Sequence, residues 1–124
     1  MRLSQTETLS LETARHLVNS YGADYQRLIE LMREDEQLRG RLVEGLPPVL
    51  AEIDYAARHE MALTLADAMT RRTRLAMVAG RDSVRCATIA AELMARELNW
   101  SREEMERQIA QFITEFEREF AALD

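Results

Sequence analysis

Lysine is missing from this chain: all sixteen basic residues among its 124 are arginine. A codon bias of the source genome would produce the same result, so the substitution alone marks no site. Two histidines and a single cysteine, Cys86, leave too few ligands for a structural zinc site. One cysteine cannot form an internal disulfide, which fits a reducing, cytoplasmic setting. Glycine and proline are scarce, with four and two residues, few for an all-β or dinucleotide-binding fold. Gly22, Gly40, Gly45 and Gly80 stand far apart, so no phosphate-cradling Gly-x-Gly-x-x-Gly or Walker loop exists. No apolar run approaches the length of a membrane span, and Met1–Ser10 is too polar for a signal peptide. A net charge of -6 argues against a general nucleic-acid or anionic-membrane binder.

What is there is helical periodicity. At 47% hydrophobic content the chain can build one domain with a real core. Leu11, Ala14, Leu17, Val18 and Tyr21 form one stripe, with Ser10 as N-cap and Gly22 as a left-handed stop. Tyr25, Leu28, Ile29 and Met32 mark a second helix. The segment from Glu34 to Leu46 reads as a connector, with a turn of helix around Leu38 and Leu42. Pro47 and Pro48 are expected in the first turn of the next helix, where proline is tolerated. That helix shows Val49, Leu50, Ile53, Ala57 and Met61 on one side, with Asp54 and Arg58 as a surface pair at i,i+4. Thr64 and Asp67 sit at the spacing of a capping box, before Leu65, Ala68 and Met69. Leu75–Ala79 is apolar and stops at Gly80.

Two long helices should finish the chain. The first carries Val84, Ala87, Ala91, Met94 and Leu98, widened by Cys86, Ile89, Ala90 and Leu93, with Asn99 at a left-handed cap. Ser101 and Glu104 form a capping box, and Trp100 and Met105 the flanking hydrophobic staple. The last stripe is Met105, Ile109, Phe112, Ile113, Phe116 and Phe120. Residues 1–9 read as a loose lead-in. The fold class expected is all-α, a single compact orthogonal helical domain of five or six helices.

The chemical signals are sparse. His59-Glu60 lacks the second histidine of a zinc-protease motif, because position 63 is leucine. His59 reads instead as a structural histidine paired with Tyr55 one turn back, and His16 as plain surface or core edge. The glutamates around Glu103–Glu106 and Glu115–Glu119 are interspersed with Arg102, Arg107 and Arg118, as on a solvated face. Cys86, within an apolar face, reads as an inert buried thiol. The densest pattern is Glu52–Ala76. There Arg58, His59 and Glu60 close one helix, and Arg71, Arg72 and Arg74 close the next. The arginine cluster is either a solvated helix end favoured by the helix dipole or a docking surface for carboxylates, carbonyls or a phosphate.

At these residues the chain resembles the C-terminal helical domain of bacterial FAD-dependent (aerobic) glycerol-3-phosphate dehydrogenases. Tyr55-Ala-Ala-Arg-His-Glu-Met-Ala, Thr64-Leu-x-Asp67 and Arg71-Arg-Thr-Arg-Leu75 carry the resemblance. Weaker support comes from His16-Leu-Val, Tyr21-Gly22, Leu42-Val-Glu-Gly-Leu-Pro47, Ala91-Glu-Leu-Met-Ala and Leu98-Asn-Trp100. It spans nearly the whole chain, from about Leu9 onward. Asn99 departs from the glycine expected there and is the next best left-handed cap.

The resemblance implies a parent enzyme that oxidises sn-glycerol 3-phosphate to dihydroxyacetone phosphate. FAD takes the hydride equivalent, and electrons pass on to membrane quinone. The flavin and substrate sites lie in a preceding portion, so residues 1–124 are expected to be the cap domain of a longer flavoenzyme. The isolated domain should bind no FAD and carry no catalytic or metal-binding residue. Its partner is its own N-terminal FAD and substrate domain, at the cytoplasmic face of the inner membrane. Arg58, His59, Glu60, Thr64, Asp67, Arg71, Arg72 and Arg74 are the candidate inter-domain docking residues. Two other readings remain open: a free-standing module that dimerises through its last helix, and an arginine-based phosphate-ligand or regulatory domain.

Overall fold

The apolar stripes become helices in the computed structural model, which describes residues 10–72 and 75–120, without the side chains of 71, 72, 77, 78 and 120. The expected lead-in, residues 1–9, lies outside the described residues. In chain order the α-helices are α1 (Leu11–Tyr21), α2 (Tyr25–Glu34), α3 (Leu50–His59), α4 (Leu75–Ala79), α5 (Asp82–Arg85), α6 (Ala87–Leu98) and α7 (Arg102–Phe120). Short 3₁₀ turns occupy Gly22–Asp24 and Glu36–Arg39, and a π-helical turn occupies Asp67–Arg72. No strand occurs among the described residues; one isolated antiparallel bridge joins Arg41 to Val49. The all-α expectation is borne out.

The middle of the fold is α3. Every residue from Leu50 to Ala57 is buried, on all sides of the helix. A helix buried all round must be covered by several neighbours, and α2 and α6 pack against it. Both α3 and α6 are rich in buried alanine (Ala51, Ala56, Ala57; Ala87, Ala90, Ala91), and small side chains let helix axes approach closely. α7 closes the other side of α6 and contributes Phe112 and Phe116, each 1% exposed.

Most sequence-coded ends are present. The Ser10 hydroxyl accepts the Thr13 N–H at 3.1 Å, and the Ser101 hydroxyl accepts the Glu104 N–H at 3.0 Å. Asn99 is left-handed at φ 64° and Gly80 at φ 58°. Gly22 has the positive φ expected of it, 52°, but its ψ of -120° lies outside the left-handed helical well. Of the turn expected near Leu38 and Leu42, only the Leu38 part is helical, as the 3₁₀ segment; Leu42 lies beyond it, and both leucines are buried.

Four local expectations need correction. Pro47 and Pro48 stand before the helix: Val49 is its extended N-cap residue. The Leu42 N–H donates to Pro48 O at 3.1 Å and the Leu50 N–H to Gly40 O at 2.8 Å. This closes a loop that holds residues 48–49 extended. Met61 does not continue the α3 stripe. It is 74% exposed at φ 60°, and the Ala62 N–H turns back to Ala56 O at 3.1 Å. Asp54 is no surface residue but 1% exposed. The penultimate helix breaks at Cys86, between α5 and α6. There the Ser83 hydroxyl donates to Gly80 O at 2.7 Å and the Cys86 thiol to Ser83 O at 3.3 Å, side-chain bonds that bend a helix. Burial pushes the Cys86 thiol up to about 11, consistent with an inert group.

Candidate functional site

The segment after α3 gathers several of the predicted residues. The left-handed Met61 ends the helix, and Thr64 restarts helical backbone. Its hydroxyl accepts the Asp67 N–H at 3.0 Å. A second orphan donor, the Leu65 N–H, is taken at 3.1 Å by the side-chain oxygen of Gln108 on α7. Buried Leu65, Ala68 and Met69 then pull the turn onto the core, and its backbone widens to a π-helix through Arg72. Such single π turns often occur at functional positions.

An open cleft of about 570 Å³ borders this segment. Met61, Leu63, Thr64, Asp67 and Thr70 line one side, and Glu115, Arg118 and Glu119 of α7 line the other. Two large apolar side chains stand exposed at its edge, Met61 at 74% and Leu63 at 63%. Arg71 and Arg72 lie on the π turn by backbone position; their side chains, and Arg74 entirely, lie outside the described residues.

Arg58 and His59 face other neighbours. Arg58 reaches Glu97 on α6 at 2.8 Å, Asp54 on α3 at 3.4 Å and Glu34 on α2 at 3.9 Å. Burial works against its charge, but Asp54 and Glu97 outweigh that and hold the guanidinium above its ordinary value. It therefore pins α2, α3 and α6 together. His59 is exposed, with its ring 5.0 Å from that of Tyr55 and its Nδ1 3.5 Å from Arg27. Tyr55 is the neighbour expected, but it meets His59 ring to ring, and the polar contact is to Arg27. Glu60 follows α3, its N–H returning to Ala56 O at 3.1 Å. The structure thus brings Thr64 and Asp67 to the cleft and places Arg58, His59 and Glu60 at the end of α3.

The best-formed polar cluster was not anticipated. Glu52 is 1% exposed, and its oxygens meet Tyr21 Oη at 2.8 Å, the Val49 N–H at 2.8 Å and His16 Nε2 at 3.2 and 3.1 Å. His16 is a clasp onto a buried carboxylate rather than plain surface. Its imidazole is held above its ordinary value chiefly by the hydrogen bond to Glu52, against the opposing effect of burial. Tyr21 is held neutral by burial and then by the Glu52 charge, and its ring meets that of Tyr55 edge-on at 5.3 Å. One signal could have found the cluster: a glutamate three residues after Val49 is placed to accept a helix-start N–H. Gln108 was also missed, although it sits one turn before Phe112 on the apolar face of its helix. No group of metal ligands and no helix long and apolar enough to cross a membrane occurs among the described residues.

Comparison with known proteins bears on this arrangement. Residues 1–105 match the family described as the C-terminal domain of alpha-glycerophosphate oxidase. Glycerol-3-phosphate dehydrogenase 2 of Mycobacterium bovis is 30% identical over 105 residues, covering 85% of this chain and 18% of the relative. The mitochondrial glycerol-3-phosphate dehydrogenase of Rattus norvegicus is 36% identical over 105 residues, covering 82% of this chain and 14% of the relative. The glycerol-3-phosphate dehydrogenase of Synechocystis is 29% identical over 117 residues, covering 84% and 21%. The chain therefore spans about a fifth of the length of the curated relatives it matches, or less. No solved structure matches it.

Proposed function

The chain belongs to the family of the C-terminal domain of alpha-glycerophosphate oxidase, and on that premise we propose that it is the helical cap of an FAD-dependent glycerol-3-phosphate dehydrogenase. In this reading the parent protein oxidises sn-glycerol 3-phosphate to dihydroxyacetone phosphate in its preceding portion. FAD bound there accepts the hydride equivalent and hands the electrons to quinone at the cytoplasmic face of a membrane. The cap contributes docking and no chemistry. The observation that carries the reading is the cleft edge. Thr64 and Asp67 line it beside exposed Met61 and Leu63, on the segment that runs directly into Arg71, Arg72 and Arg74. Exposed apolar residues, followed within a few positions of sequence by planar, multidentate donors, suit an interface with fixed acceptors. Arg58, His59 and Glu60 precede that segment at the end of α3, where Arg58 joins three helices.

Dimerisation through the last helix is less well supported, because Phe112 and Phe116 of its stripe are already buried within the domain. The test pairs this chain with the parent enzyme. Arg72→Ala and Arg74→Ala should change the stability of this chain by no more than about 0.5 kcal/mol, as at ordinary surface sites. In the parent they should lower glycerol-3-phosphate oxidation or the melting temperature. A large loss in this chain alone would make the cluster internal to the fold. No effect in either would return it to a solvated face. A flavin absorbance band that stays with this purified chain through gel filtration would contradict the placement of FAD.

A further inference from the structure

We propose that His16 and Glu52 form a pH-dependent clasp that fastens α1 to the central helix α3 and lets go as the imidazole loses its proton. The argument starts from how little else holds α1. Of its eleven residues only Thr13 and Leu17 are buried, while Leu11 and Val18 stand 65% and 48% exposed. The apolar hold is thus narrow. Tyr21 adds a half-buried ring that packs on the core, edge-on to Tyr55 at 5.3 Å, and the other ties among the described residues are polar: Thr13 Oγ1 donating to Pro47 O at 3.4 Å, Arg41 reaching Ser10 at 2.9 Å and Glu12 at 3.2 Å, and the contacts of His16 and Tyr21 with Glu52.

The geometry surrounds Glu52 with hydrogen-bond partners. Each Glu52 oxygen accepts from a neutral donor, Tyr21 Oη at one and the Val49 N–H at the other, and His16 Nε2 lies 3.2 and 3.1 Å from the two. Hydrogen bonds donated to the oxygens of a carboxyl group favour its charged form. A buried carboxylate needs a positive partner. Tyr21 and the Val49 N–H are neutral. Arg41, from the connector, is engaged by Glu12, and Arg27, from α2, lies against His59. Tyr55 on α3 and Glu60 just after it act on Tyr21 and bring no positive charge. Among the described residues, His16 is the cation in contact with Glu52, at 3.1 Å. Its Nδ1 lies 3.4 Å from the Ser20 hydroxyl, so both ring N–H groups of an imidazolium find acceptors.

The direction of the pH effect follows from linkage. A folded-state imidazole held above 6.5 adds stability that is complete below 6.5 and is lost as pH rises through the raised value. Deprotonation leaves Glu52 buried without a counter-charge, and α1 detaches while α2 to α7 stay packed.

The test is a titration of the His16 ring nitrogens by NMR in this chain, with hydrogen exchange of the α1 amides across the same pH range. The His16 midpoint should lie above 6.5. Opening of α1, corrected for intrinsic exchange, should rise about tenfold for each pH unit by which that midpoint is raised. In His16→Gln the opening should lose this dependence while exchange in α6 and α7 is unchanged. In Glu52→Gln the His16 midpoint should fall back toward 6.5; if that variant does not fold, the wild-type titration decides. A His16 midpoint at or below 6.5, or α1 opening with the same pH course in wild type and His16→Gln, would overturn the clasp.

Discussion

Two carboxylates on the same helix, two residues apart, meet burial in opposite ways. Glu52 and Asp54 are each 1% exposed. The α1 side of α3 surrounds Glu52 with a phenol, a backbone N–H and an imidazole. On the α6 side, neither oxygen of Asp54 has a hydrogen-bond partner among the described residues, and Arg58 approaches it at 3.4 Å. Burial is the larger influence on Asp54 and raises its carboxyl above the usual range; Arg58 opposes that. The lesson is that equal burial of equal charge gives unequal stability. Glu52 is integral to the start of α3 and the attachment of α1, whereas Asp54 is a charge the fold tolerates.

The largest effect that could break this comparison is at Glu52. Glu52→Ala leaves the Val49 N–H, Tyr21 Oη and His16 without their acceptor, and should destabilise by about 3–5 kcal/mol, the range for breaking a buried ion pair. The urea midpoint of the purified chain measures it, and a loss below about 1 kcal/mol would place the cluster at no more than surface importance. Ser101→Ala provides the exposed counterpart of the same kind of helix-start bond. It removes the acceptor of the Glu104 N–H and should cost about 1 kcal/mol. A loss as large as that of Glu52→Ala would show that burial does not set the difference.

Asp54→Asn should have the smallest effect at neutral pH, within about 1 kcal/mol and in either direction, because no hydrogen bond is lost. Its pH course sharpens the contrast further. An acid whose folded value is raised adds stability below its unfolded value of 3.8, and loses it as pH rises through the folded value. The difference between wild type and Asp54→Asn should therefore turn against the wild type as pH climbs out of the acid range. A wild type that gains relative to the variant over that climb would mean that Arg58 outweighs burial.

Legibility in the sequence followed the range of the interactions. The caps at Ser10, Thr64, Asn99 and Ser101 were readable because donor and acceptor lie within one turn of each other. The stripes of α2, α6 and α7 were readable because 3.6-residue periodicity is a local pattern. The proline pair was misplaced because pairing between Gly40–Leu42 and Pro48–Leu50 keeps the chain extended past it. Met61 was misread because it fits the α3 period while the backbone has already turned at φ 60°. In the candidate site, Thr64 and Asp67 carried a local signal, and their cleft did not, since its other wall comes from Glu115–Glu119 on α7. Arg58 was visible as a charge at a helix end; its grip on Glu34 and Glu97 was not.

By itself the sequence determined an all-α chain, the caps at Ser10, Thr64, Asn99 and Ser101, and the absence of a nucleotide-binding glycine loop. Each of these depends on residues close together along the chain or on composition. Only the tertiary structure decided which polar groups are buried and what answers them. His16 and Glu52 are separated by 36 residues, and Leu65 and Gln108 by 43. Their pairing depends on how α1 and α7 pack around α3 and α6, and no periodicity within a single helix encodes which side chain of another helix will stand opposite.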